Sequence, residues 1–134
     1  MINSRIIDLK NYAKAIIETE KIFFDGLVPS RLNEESGVYF IANKNNDAVL
    51  YVGKTTNLRT RLYTNHLQGN QSTARLKKYL VEDDNMITIH TYKEAKEWIK
   101  DNCYFKFLKV DDERLRGQLE GGFSYLFNTK YIEK

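Results

Sequence analysis

GVYFIANKNNDAVLYVGKTTNLRTRL, residues 37–62, is the stretch on which the fold turns. Residues 37–43 (GVYFIAN) and 49–53 (VLYVG) are short runs rich in β-branched and aromatic side chains, and the cluster KNND at 44–47 between them is turn material. Together they predict an antiparallel hairpin. An odd-length turn would set Tyr39 and Tyr51 opposite each other on one face. Such a pair is either a surface of two phenols or a cross-strand aromatic pair filling core, and the hairpin alone does not choose between them.

Downstream, KTTNLRTRLYTNHL (54–67) offers Thr55, Thr56 or Asn57 as an N-cap and spaces Leu58, Leu62 and His66 by four, which predicts a helix. Arg61 stands four residues after Asn57 and four before Asn65, so these three share a stripe that can turn back to the hairpin. An arginine there suits a phosphate, because its paired N–H donors match two oxygens; otherwise it is a surface arginine. Arg59, two residues away, lies about 200° around the same helix. The run Gly53-Lys54-Thr55 ends like a nucleotide-triphosphate loop, but the glycine such a loop needs five residues earlier is Ala48, and 49–52 reads as strand. A triphosphate site is therefore not expected.

Charge is unevenly placed. Between Ala48 and Val81 there is none of the chain's 18 acidic residues, but six of its 21 basic ones: Lys54, Arg59, Arg61, Arg75, Lys77 and Lys78. An ordinary solvated helix face mixes both signs, so a window of one sign points to phosphates. Arg59, Arg75, Lys77 and Lys78, with Asn65 and His66 beside them, are the expected nucleic-acid contacts. The single cysteine, Cys103, has no internal partner, and the two histidines are isolated, which excludes a disulfide framework and a zinc cluster. Charges interrupt every apolar run near the N-terminus, so neither a membrane span nor a secretion signal is expected; an intracellular, cytoplasmic setting fits.

Residues 4–24 predict an amphipathic helix, and 25–36, with the only proline, Pro29, a connector. A break at 69–72 precedes a second basic helix over 73–81. Residues 86–92 (MITIHTY) predict a short strand, 93–102 a helix and 103–110 (CYFKFLKV) a better strand. DDERLRGQLEGGFSYLF (111–127) predicts a last helix with Leu115, Leu119, Phe123 and Leu126 on one face. Glu120 borders that face, where a carboxylate wants a partner: a metal ion or Arg116 one turn earlier. Gly121 and Gly122 beside it suggest close approach of another backbone or a ligand. At 134 residues the chain fits one globular unit, with 1–28 an N-terminal helix and connector.

The ordered set GVY (37–39), YVG (51–53), Lys54, Arg61 ten residues after Tyr51, and a late helical glutamate resembles the GIY-YIG endonuclease family over roughly residues 29–134. The run YVGK..NLR.R is especially similar to the nuclease domain of the bacterial excision-repair incision subunit. The resemblance implies an α+β fold, a small three-stranded antiparallel sheet flanked by helices, with an extra N-terminal helix and residues 82–102 as an insertion. It implies metal-dependent hydrolysis of phosphodiester bonds, with DNA as the expected substrate and Mg²⁺ or Mn²⁺ as cofactor. Tyr39, Tyr51, Lys54, Arg61 and Glu120 take the catalytic positions, and Glu120 is the metal ligand. Lys54 would lower the pKa of a tyrosine acting as base. Two positions depart from the family pattern. Asn65 stands where many members have histidine, with His66 one step on. Thr129, Lys130, Tyr131 and Ile132 stand where a Pro-x-Tyr-Asn run is common. A nucleic-acid-binding module with weak or no catalysis is the alternative reading.

Overall fold

A computed structural model of the chain describes residues 1–68 and 75–132; the break expected at 69–72 and the expected start of the next helix at 73–74 lie outside them. The hairpin forms as the alternation requires: β2 (Gly37–Asn43) pairs antiparallel with β3 (Val49–Thr55). Its turn is closed by side chains, since Asn43 Oδ1 accepts from the Asn45 amide and Asn46 Oδ1 from the Ala48 amide, each at 2.9 Å. β4 (Cys103–Lys109) pairs with the other edge of β2, so the three expected strands are present with β2 central.

The sheet has a fourth strand. α1 (Ile2–Glu18) ends six residues short of the expected boundary, and Ile22–Phe23 becomes β1, paired with Phe105 and Tyr104 of β4. The reason is burial: Ile22 and Phe24 sink into the core beside β4, where an extended chain places alternate residues inward. The sheet order is β1-β4-β2-β3, leaving β3 at one edge.

Two layers cover it. On one face α1 and α4 (Glu113–Leu126) pack on Val38, Phe40, Ala42, Val52 and Tyr104 through Ala13, Ile16, Leu119 and Phe123. The pair of glycines in α4 divides its work. A Cβ on Gly122 would sit 2.8 Å from Leu9 of α1, so this glycine lets the two helices meet, whereas one on Gly121 would meet nothing. On the other face Tyr39, Ile41, Tyr51 and Phe105 meet a helix at Arg59–Gln68, α2 (Arg75–Glu82) and α3 (Tyr92–Asn102) through Leu58, Leu62, Leu76, Leu80 and Ile99.

The strand expected at 86–92 does not form. Thr91 is drawn instead into a capping box that starts α3: its Oγ1 accepts from the Glu94 amide, and the Glu94 carboxylate accepts from the Thr91 and His90 amides. None of the described helices is long and apolar enough to cross a membrane.

Candidate active site

Tyr39 and Tyr51 share a face but are not opposite each other. Tyr39 pairs with Gly53, and Tyr51 with Ile41, so the rings meet on the diagonal with centroids 6.3 Å apart. The turn that forms has four residues, 44–47, which is even, and a bulge after Ile41 that leaves Leu50 without a pairing partner in β2 is what returns Tyr51 to the face of Tyr39. The pairing explains the glycine of YVG: a Cβ on Gly53 would lie 2.4 Å from the Tyr39 Cζ and phenol oxygen. The Tyr39 ring crosses the space that only glycine leaves open.

The helix after β3 begins as read, with Asn57 Oδ1 accepting from the Thr60 amide, but from Arg59 to Gln68 it is a π-helix. Here i→i+5 bonding sets a side chain five residues on roughly above the first, where an α-helix would set one four residues on. His66, five after Arg61, thereby reaches the tyrosines, with its Nε2 2.9 Å from the Tyr39 phenol. In this winding it is His66 that contacts Tyr39. His66 was expected to touch nucleic acid; at 1 % exposure it cannot. Burial, with the charges of Arg61 and Lys77, lowers its pKa to about 3, so the imidazole is neutral.

Burial raises the Tyr39 pKa well above its ordinary value; the neighbouring Tyr51 adds to this, while Arg61 opposes it by charge and hydrogen bonding. Tyr51 is also shifted up by burial, against the charges of Arg61 and Arg75. Lys54 is not among the leading influences on either phenol. It follows Gly53 onto the opposite face of the sheet, and its Nζ lies 3.5 Å from where a Gly117 Cβ would be. The expectation that Lys54 lowers a tyrosine pKa is thus replaced by Arg61 and Arg75. Lys54 instead stands over α4 one turn before Glu120.

Glu120 and Tyr51, 69 positions apart in sequence, line one cleft of about 580 Å³ at the β3 edge, together with Arg75, Tyr79, Tyr125 and Tyr131. Arg116 is not directed at Glu120: its Nη1 donates to the Val110 and Asp111 carbonyls, at 3.1 and 2.8 Å. The segment after α4 runs along the β3 edge, where the Lys130 and Tyr131 amides donate to the Val49 and Leu50 carbonyls. This brings Tyr131 against Tyr79 and sets Ile132 in the cleft wall.

The basic window divides into parts. Arg59 donates from Nε to the Leu32 carbonyl and pairs with Glu34 at 3.6 Å, away from the tyrosines. Arg75 and Lys78 are exposed, and Asn65 is half-buried. Lys77 corrects the expectation of a phosphate contact: it is 1 % exposed among the core side chains of α2, and burial lowers its pKa to about 8. Sequence reading did not single out Tyr79, Tyr125 or Tyr131 as cleft residues. Only Tyr131 carried a signal, its place in the C-terminal run.

The family model for the GIY-YIG catalytic domain matches residues 35–102, just over half of the chain, and the chain belongs to that family. By class it is a nuclease domain. Similar solved structures include the GIY-YIG N-terminal endonuclease domain of UvrC from Thermotoga maritima, in point-mutant forms bound to a catalytic divalent cation. Two of these are 24 % identical, with 77 % of this chain and 88 % of that chain covered and a TM-score of 0.47. No curated protein matches the chain.

Proposed function

We propose that this protein is a divalent-metal-dependent endonuclease acting on DNA, with Tyr51, Arg61 and Glu120 around the reacting phosphate. The observation that carries the reading is that β3 and α4 bring Tyr51 and Glu120 into one open cleft, while Arg61 acts electrostatically on both phenols.

The donor set suits a hard cation. Among the described residues no cluster of three His, Cys, Asp or Glu side chains exists, so Glu120 would act as the single carboxylate, and magnesium is often held by one or two carboxylates, waters and substrate phosphates. When bound there, the cation supplies positive charge to the phosphate and to its leaving oxygen. Arg61, fixed against the tyrosines, offers paired donors to charge that develops on the phosphoryl oxygens. Tyr51 takes the proton of the attacking water, since it is the phenol that lines the cleft, whereas Tyr39 is fully buried. Tyr39, held between Arg61 and His66, positions Arg61.

The test is incubation with supercoiled plasmid, branched DNA and RNA, with and without Mg²⁺ or Mn²⁺. The expected result is metal-dependent DNA cleavage that Glu120→Gln abolishes with its circular dichroism unchanged. Full activity in that variant removes Glu120 from the site. Metal-independent inactivity with retained, salt-sensitive binding identifies a nucleic-acid-binding module instead.

A further inference from the structure

The cleft beside Glu120 is walled by aromatic rings more than by charge. Four of its twelve lining residues are tyrosines, and Arg75 is its one cation among the described residues. A site for phosphates alone calls for the reverse proportion. Three of the tyrosines are engaged. Tyr51 packs against Tyr39 and Tyr79; Tyr79 and Tyr131 stack with centroids 5.9 Å apart and planes 6° apart; and Tyr131 donates to Asp83 at 2.6 Å. Tyr125 is different. It stands at the cleft rim on α4, 86 % exposed, with no ring contact among the described residues, and Ile132 beside the same cleft is 54 % exposed.

A second cleft, of about 650 Å³, shares Arg75, Tyr79, Tyr131 and Ile132 with the first and adds Lys78, Lys130, Glu82 and Asp83, of which Lys130 and Asp83 pair at 3.5 Å, leaving Lys78 as the added cation facing the aromatic wall. Aromatic faces followed by basic side chains are what a single strand needs, because its bases offer π-faces while its backbone offers phosphates. Within a duplex those faces are covered by neighbouring base pairs. The first cleft also falls in the size range of small-ligand sites, about 300–1,000 Å³.

We propose that the cleft takes an unpaired nucleotide flanking the scissile phosphate, with Tyr125 stacked on its base and the strand continuing toward Lys78. The inference rests on the nuclease reading for the place of the phosphate. It names the substrate as nucleic acid with single-stranded character at the cut.

The experiment uses Glu120→Gln protein without divalent metal and an oligonucleotide containing 2-aminopurine, either single-stranded or in duplex. Quenching of the single strand is expected on binding, and Tyr125→Ala should weaken that binding about tenfold while Tyr125→Phe, which keeps the ring, restores it. The exposure of Tyr125 means that its truncation leaves the fold in place. Equal affinity of the Tyr125→Ala protein for the single strand overturns the proposal, as does equal Tyr125 dependence for duplex. Cleavage by the unaltered protein is scored separately. Active protein indifferent to Tyr125 removes this inference alone, whereas inactive protein that still shows Tyr125-dependent quenching removes the nuclease reading alone.

Discussion

The two faces of the central strand are built on different terms. Val38, Phe40 and Ala42 point into a layer of apolar side chains from α1 and α4, and the buried charge on that side, Arg116, is matched by backbone carbonyls. Tyr39 and Ile41 point into a layer that also buries an imidazole and a lysine and sets a guanidinium against two phenols. Apolar burial stabilises at about 25 cal/mol per Å² without further conditions, whereas each polar group taken from water costs free energy unless a partner replaces it. The first face is therefore for stability, and the second gives up stability to hold shifted protonation states beside the cleft. Glu120 belongs to α4 yet meets Tyr51, because β3 is an edge strand and the cleft opens where the two layers come together.

Truncation separates the two faces most sharply. Phe123→Ala, in the apolar layer, is expected to lower unfolding free energy by about 3–5 kcal/mol in urea titration, leaving the rate of the folded fraction near its original value. Arg61→Ala should do the opposite, lowering single-turnover cleavage by about 10²–10³-fold, as loss of one preorganised donor does, with little change in urea midpoint. If both variants lose stability and neither loses rate, the division between the faces is wrong.

A smaller effect comes from the phenols. The Tyr51 pKa lies above its ordinary value because of burial, so at neutral pH the base form is scarce and grows as pH rises. Cleavage limited by that form should rise about tenfold per pH unit through the neutral range, and Tyr51→Phe should leave a low, flatter profile. A rate that falls with rising pH would exclude a phenol as the base.

The smallest effect concerns His66. Its folded pKa of about 3 lies below the ordinary value near 6.5. Between these values the unfolded chain binds more protons, so this contribution to stability is present above pH 6.5 and is lost as pH falls toward 3. The protein should lose on the order of 2 kcal/mol between pH 7 and pH 5 through this group. His66→Gln, which does not titrate, should show a correspondingly weaker loss in paired urea titrations. Equal losses in both proteins would mean that the imidazole is not held neutral by its surroundings.

Much of this was legible in the chain itself. Turn residues marked the hairpin, alternation marked its two strands, and helical spacing set Glu120 at the border of a buried stripe; all depend on local backbone geometry, which a few neighbouring residues dictate, whereas the shared face of Tyr39 and Tyr51 came from a bulge rather than from the odd-length turn that was expected. Only the tertiary structure decided the diagonal offset of the tyrosines, the fourth strand at Ile22–Phe23 and the burial of Lys77. It also selected His66 over Asn65, since that choice depends on the π-winding of a helix packed against the sheet. The meeting of Glu120, Tyr51 and Tyr125 in one cleft belongs to the same group. Offsets between elements distant in sequence are set by how side chains from several of them fill a shared volume, and no single stretch of the chain carries that information.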